Sequence, residues 1–345
     1  MSYKRFAAAV SRLAITLSLI VTGLVAGLVV APQADASTTR TNCDLSARAK
    51  AKPYMVAFHG GNGHLWVAGP GCARDLGLGI SGSPAIAHLK SGGYEITFRA
   101  ASGNLWIAGA AGTGDTGLGV APGTDPSIAA LGNGGFEVAF HASSGDLWVV
   151  GRAGTGSTGL AMPFGESPSI TALKGHGFEI AFIGDGGTWL AGSRGNQNLG
   201  FVGAGSPSVA ALKNGQLVMA GESYNGGALL FGAVSMYLPG QGMCAACTTS
   251  SAPAITSLTR GGFEAAYVVT GGHLRVYGSA GSKDTGLVAR TGDAFVVRPS
   301  IVGLKNGGYE VALQGSTGTL WVTGSAGTRN TGLGMAHNSS PSIAG

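Results

Sequence analysis

The chain has 345 residues, of which 11% are charged and 44% hydrophobic, and its formal net charge is +5. So much apolar content with so few charges excludes an intrinsically disordered protein, although 63 residues are Gly. Its 21 basic residues and seven histidines form no basic stripe, which excludes nucleic acid as a partner.

In chain order, Lys4, Arg5 and Arg12 form a positive n-region, followed by the uncharged run "LAITLSLIVTGLVAGLVVA" and a small-residue site at "ADA" (34–36). Residues 1–36 therefore read as a signal peptide cleaved after Ala36, and the remainder as a secreted, extracellular protein. The apolar run is long for that role, and left uncleaved it would anchor the chain, the one route to a membrane partner. Residues 37–52 form a leader. An exported chain with four cysteines, Cys43, Cys72, Cys244 and Cys247, implies disulfides in one of three connectivities. Cys43–Cys72 would pin the leader to the first repeat, and Cys244–Cys247 would close a small loop. The Cys-Ala-Ala-Cys spacing also suits a redox pair or half a zinc site. No second Cys pair or adjacent His completes such a site, so the structural disulfide is preferred and no metal or cofactor is expected.

From residue 53 onward the chain repeats itself. Pro84, Pro126, Pro168, Pro207, Pro253, Pro299 and Pro341 each precede a small residue and Ile or Val, at intervals of 39 to 46 residues. Each unit continues through Leu, a Gly turn, Tyr/Phe-Glu-Val-Ala-Phe, a Ser/Gly turn, Leu-Trp-Val-x-Gly and Thr-Gly-Leu-Gly. That is four short strands, rich in β-branched and aromatic residues, with no helical period. Proline at a strand's first position is tolerated because its missing N–H is not needed there.

Four strands in this period make one blade of a β-propeller. The opening repeat "PYMVAFHGGNGHLWVAG" (53–69) lacks a first strand, and the closing "SPSIAG" (340–345) is a first strand alone. Joined, they complete a composite blade and close the ring without a free sheet edge. The expected fold is all-β, a seven-bladed β-propeller over 53–345, with blades one to six numbered from Pro84. A propeller of this kind would act as a monomer.

Five tryptophans share one place in the repeat, Trp66, Trp106, Trp148, Trp189 and Trp321, with Leu230 and Arg275 standing there in the other two blades. Glu95, Glu137, Glu179, Glu264 and Glu310 share another, with Met55 and Leu217 as exceptions. The end of the second strand varies: His59, Arg99, His141, Ile183, Val268, Gln314. Blade four aligns poorly there, and blade three is one residue short in this hairpin. In "FEVAFHASSGDLWVVG" (136–151), alternation puts Phe136, Val138 and Phe140 on a core face and Glu137, Ala139 and His141 on the other. A turn at Ser144–Gly145 would set His141 opposite Trp148 and gather Glu137, His141 and Trp148 around a hollow over Ala139. An aromatic platform with a carboxylate and a second polar group suits a sugar. Packing competes with that reading. Trp can fill the wedge between blades, and a buried Glu can accept backbone N–H groups at the same junctions.

The stretches "SPSI", "GGFEVAF", "SGDLW" and "GTGDTGLG" resemble repeat propellers of secreted actinobacterial proteins. They are also similar in outline to PLL-type, tectonin and fungal fucose-binding lectin propellers. The resemblance implies sugar bound between adjacent blades by an aromatic ring, a carboxylate and an Arg. Trp148 and Glu137 would match the first two roles; Arg99 supplies the third in blade one, where blade two has His141. The expectation is thus a lectin-like propeller binding glycans or a cell-surface polysaccharide. A protein-binding surface scaffold is the alternative. A glycan-active hydrolase or lyase is less supported: no Gly-x-Ser-x-Gly elbow, His-Glu-x-x-His or Asp-x-Asp-Gly loop occurs, and no unique carboxylate pair stands out. Divergent blade four, with Glu222, Tyr224 and the Cys pair, is the place where a separate site could lie.

Overall fold

The computed structural model describes residues 40–46, 52–200, 205–222, 227–238, 252–292, 295–296 and 298–345. The signal segment, Tyr224 and the Cys244/Cys247 pair lie outside them. Seven four-stranded antiparallel sheets form the blades of a propeller, together with one small hairpin, Thr291–Gly292 with Phe295–Val296, which the repeat pattern did not announce. In the composite blade the C-terminal strand Ser342–Ala344 is the inner strand, and it pairs with Met55–His59 through Val56↔Ile343 and Ala57↔Ser342. The ring closes as the chain ends implied.

The inner strands, such as Ser127–Ala130, carry the Pro-Ser-Ile marker and pair with one strand only, so their axial edge needs other partners. The serine that follows the proline in five of the seven blades supplies one. Ser127 Oγ accepts the N–H of Ile170 in the next blade at 3.1 Å, Ser169 that of Val209 at 3.1 Å, Ser208 that of Ile255 at 3.2 Å, and Ser300 that of Ile343 at 3.2 Å. Ser342 does the same for Ile86 at 3.2 Å. The repeated "PSI" is therefore a stitch between neighbouring blades as well as a strand start. Between sheets the core is layered: Val138 and Phe140 are fully buried against blade one, while Ala139 and Leu147 pack with Ile180 and Phe182 of blade three.

The leader lies along the composite blade. Thr41 bridges Cys72, the Cys43–Cys72 disulfide is formed, and Leu45 O accepts the N–H of Tyr94 in blade one at 2.9 Å. Blade three's hairpin is one residue short, with Gly184↔Gly187 closing it. In blade four the pairing corrects two positions taken from sequence. Val218 rather than Leu217 faces Gly232 at the glutamate position, and Leu229 rather than Leu230 faces Gly221 at the tryptophan position. Glu222, paired with Ala228, then occupies the variable end of the second strand.

Candidate functional site

The repeated glutamates are buried at the end of each blade where the second strand begins; Glu95, Glu137 and Glu264 are wholly inaccessible. Each carboxylate accepts one N–H from the turn between the third and outer strands: Glu95 from Ala111 (2.7 Å), Glu137 from Ala153 (2.8 Å), Glu179 from Arg194 (2.8 Å), Glu264 from Ala280 (2.9 Å) and Glu310 from Ala326 (2.7 Å). The glycine closing Leu-Trp-Val-x-Gly belongs to the same lock. A Cβ on Gly109 would stand 2.1 Å from Tyr94 O, and one on Gly151 2.4 Å from Phe136 O. Burial pushes Glu95 and Glu264 up to about 7 and raises Glu137, Glu179 and Glu310, against the lowering effect of the bonded N–H. Each of these carboxylates fastens a turn within its own blade.

The expected convergence of Glu137, His141 and Trp148 does not occur. Trp148 pairs with Phe140, not with His141, and His141 pairs with Leu147. Ala142 rather than Ser143 closes on Asp146, so the loop holds Ser143 as well as Ser144 and Gly145, and a one-residue slip moves a side chain to the other face. Trp148 shares the Phe140 face, while Glu137 and His141 lie on the opposite one. The same register holds for Trp66↔Phe58, Trp106↔Phe98, Trp189↔Phe182 and Trp321↔Leu313. Within one blade the triad carried over from fucose-binding propellers is likewise not assembled: Glu95 and Arg99 share the face of the second strand that Trp106 does not occupy.

What the tryptophans do face is the preceding blade. All five are half-buried, and Trp148 packs with Leu118, Trp189 with Leu160, Trp321 with Leu287 and Trp66 with Leu333. Each of those leucines sits in the Thr-Gly-Leu segment of the neighbouring outer strand. Directly across from the tryptophans, on their own outer strand, stand polar residues that sequence reading passed over: Asp75, Asp115, Ser157, Asn198 and Asn330. Each accepts the N–H of the glycine two residues on, as Asp115 does from Gly117 at 2.8 Å, and that glycine holds φ 72°. The signal was present in the recurring [Asp/Ser/Asn]-[Thr/Leu]-Gly.

The groove between blade six and the composite blade shows the arrangement best. Its cavity of about 310 Å³ is lined by Phe58, Asn62 and Trp66 on one side and by Gly332, Leu333 and Gly334 on the other. Trp66 Nε1 donates to Asn62 Oδ1 (3.0 Å), Asn62 Nδ2 donates to Asp75 Oδ2 (2.8 Å), and His64 Nδ1 lies 3.1 Å from the same oxygen. The N–H of Gly77 with the contacts of His64 and Asn62 keeps Asp75 below the usual carboxylate range, against partial desolvation. In blades one and two Ser102 and Ser144 stand where Asn62 does, and the indole N–H of Trp148 finds no partner among the described residues. The grooves are therefore not equivalent.

The variable ends of the second strands reach instead to the loops entering the next blade. His59 Nδ1 lies 3.1 Å from Gly82 O, His141 Nδ1 3.2 Å from Glu166 O, and Gln314 Nε2 donates to Ala336 O at 3.1 Å. Arg99 donates to Ser81 Oγ (3.0 Å) and Val120 O (3.3 Å). Burial lowers the His59 pKa, which favours the neutral ring. No group of three or more His, Cys, Asp or Glu residues suited to a metal ion occurs among the described residues.

Solved structures with this architecture include the BP39L lectin of Burkholderia pseudomallei, at TM-score 0.59 and 14% identity over 85% of this chain and 98% of that one. The SapL1 lectin, solved with alpha methyl fucoside, gives TM-score 0.54 and 14% identity over 75% and 98%. The likeness is one of fold. BBS1N, solved in complex with ARL6DN, scores 0.50 at 12% identity over 77% and 85%. By sequence, neither a family model nor a curated protein matches.

Proposed function

We propose that the protein is an exported, lectin-like propeller that binds carbohydrate in the grooves between its blades. The groove beside Trp66 carries the reading: an indole wall, a facing wall of Gly332–Gly334, and a hydrogen-bonding edge of Asn62, His64 and Asp75. A sugar ring stacks its C–H face on an indole and exchanges hydroxyl hydrogen bonds with such an edge. Two solved structures of the same fold are lectins, one of them bound to a fucoside, which supports the class of ligand. No Arg is among the described residues that line this groove. The Cys43–Cys72 disulfide supports an oxidising location.

A glycan array on residues 37–345, followed by titration of indole emission with the best ligand, tests the reading. Binding lost in Trp66→Ala and weakened in Asn62→Ala is expected. An array with no ligand would leave the protein-binding scaffold as the function.

A further inference from the structure

A second, single site lies on the propeller axis, apart from the grooves. The residue before each blade proline is Ser in four blades, Ser83, Ser167, Ser206 and Ser340, and these belong to an arc of hydrogen bonds around the axis that Ala252, before Pro253, leaves open. Ser83 Oγ accepts the N–H of Ser340 (3.0 Å), Ser167 Oγ that of Asp125 (2.9 Å), and Ser206 Oγ that of Ser167 (2.8 Å). Two positions carry charge instead. Asp125 Oδ1 accepts the N–H of Ser83 at 2.7 Å, and Arg298, whose own N–H donates to Ser340 Oγ at 2.9 Å, projects a guanidinium.

A cavity of about 280 Å³ is lined by Ser83, Asp125, Ser167, Arg298 and Ser340, five residues from five blades, and by Arg99. Only a cavity on the axis is shared so widely, and its size suits one monosaccharide. Arg298 stands three blades from Asp125, which makes this mouth asymmetric within a nearly symmetric ring. Its guanidinium makes one long bond, Nη2 to Ser206 Oγ at 3.4 Å, and no ion pair among the described residues. Arg298 draws down the pKa values of Asp125 and Glu222, which burial raises, without contacting either. Arg99, fixed by Ser81 and Val120, adds a second guanidinium to the arc running from blade six through the composite blade to blade one. Phe164, 83% exposed, adjoins Gly165 of the cavity wall and is left uncovered by its own chain.

Guanidinium groups with unused donors recognise carboxylates, and serine hydroxyls with an Asp oxygen recognise sugar hydroxyls. We propose that the axial mouth binds one carboxylate-bearing sugar unit, with Arg99 and Arg298 taking its carboxylate and Asp125, Ser83, Ser167 and Ser340 its hydroxyls.

Calorimetric titration with D-glucuronate, D-glucose and inorganic phosphate tests this independently of the grooves. Glucuronate binding is expected, at least roughly tenfold weaker in Arg298→Gln, weaker in Asp125→Asn and unchanged in Trp66→Ala. Asp125→Asn keeps an oxygen for the Ser83 N–H, and thermal melts confirm that both variants fold. No glucuronate binding at millimolar concentration, or equal binding by wild type and Arg298→Gln, overturns the site. Equal binding of phosphate or glucose overturns its reading as an acidic-sugar site, by removing the hydroxyl or the carboxylate from the recognition.

Discussion

Trp148 lies directly across from Phe140, their ring centroids 6.4 Å apart, and therefore on the opposite face of blade two from Glu137. This one register assigns the two most regular residues of the repeat to different tasks. The glutamate fastens a turn within its own blade, while the tryptophan meets the outer strand of the blade before it.

For the glutamate we predict a stability effect without a binding effect. Glu137→Ala strands the N–H of Ala153 and should cost about 1–3 kcal/mol in denaturant unfolding. Glu137→Gln keeps an acceptor and should cost less. Saccharide affinity in the groove beside Trp66 should be the same in both variants.

The same carboxylates make stability depend on pH. Their folded pKa values lie above the unfolded value of 4.5, at about 7 for Glu95 and Glu264. The folded state then holds more protons than the unfolded state between those limits, so stability falls as pH rises through that window and is flat above it. Melting temperature should increase on acidification from pH 8 to pH 5. The double variant Glu95→Gln/Glu264→Gln should flatten that slope measurably.

The closed ring was legible in the sequence because its evidence is periodic: seven prolines at near-equal spacing, and a lone strand at one end matching a missing one at the other. The site was less so. A hairpin turn one residue longer than assumed reverses which face Trp148 occupies, and the residues between His141 and Leu147 do not decide it. Asp75 and its counterparts were visible in each [Asp/Ser/Asn]-[Thr/Leu]-Gly but looked like turn residues, which they also are. Arg99 and Arg298 sit 199 positions apart in the numbering, and only ring closure puts them at one mouth.

The leader should contribute through its covalent tie. Cys43→Ser opens a disulfide spanning 29 positions and should lower stability by about 2–4 kcal/mol. It should also expose the 40–46 segment to limited proteolysis, read by mass spectrometry, while the saccharide response of Trp66 persists.

The inner serines give a prediction in the stabilising direction. Five of the seven blades pass an N–H to a serine of the neighbouring inner strand, but Ala85 and Ala254 stand where the other two serines would be. Following the pattern around the ring, those two alanines leave the N–H groups of Ile128 and Ile301 without the hydroxyl that Ile170 and Ile343 enjoy. Ala85→Ser and Ala254→Ser each add an oxygen at a position where serine is already accommodated five times. Each should raise stability by about 0.5–1 kcal/mol in chemical unfolding, and the two should add because they lie on separate junctions. The reverse change, Ser127→Ala, should cost a similar amount. A neutral or destabilising result for both alanine replacements would show that the serine stitch follows from the ring rather than helping to hold it.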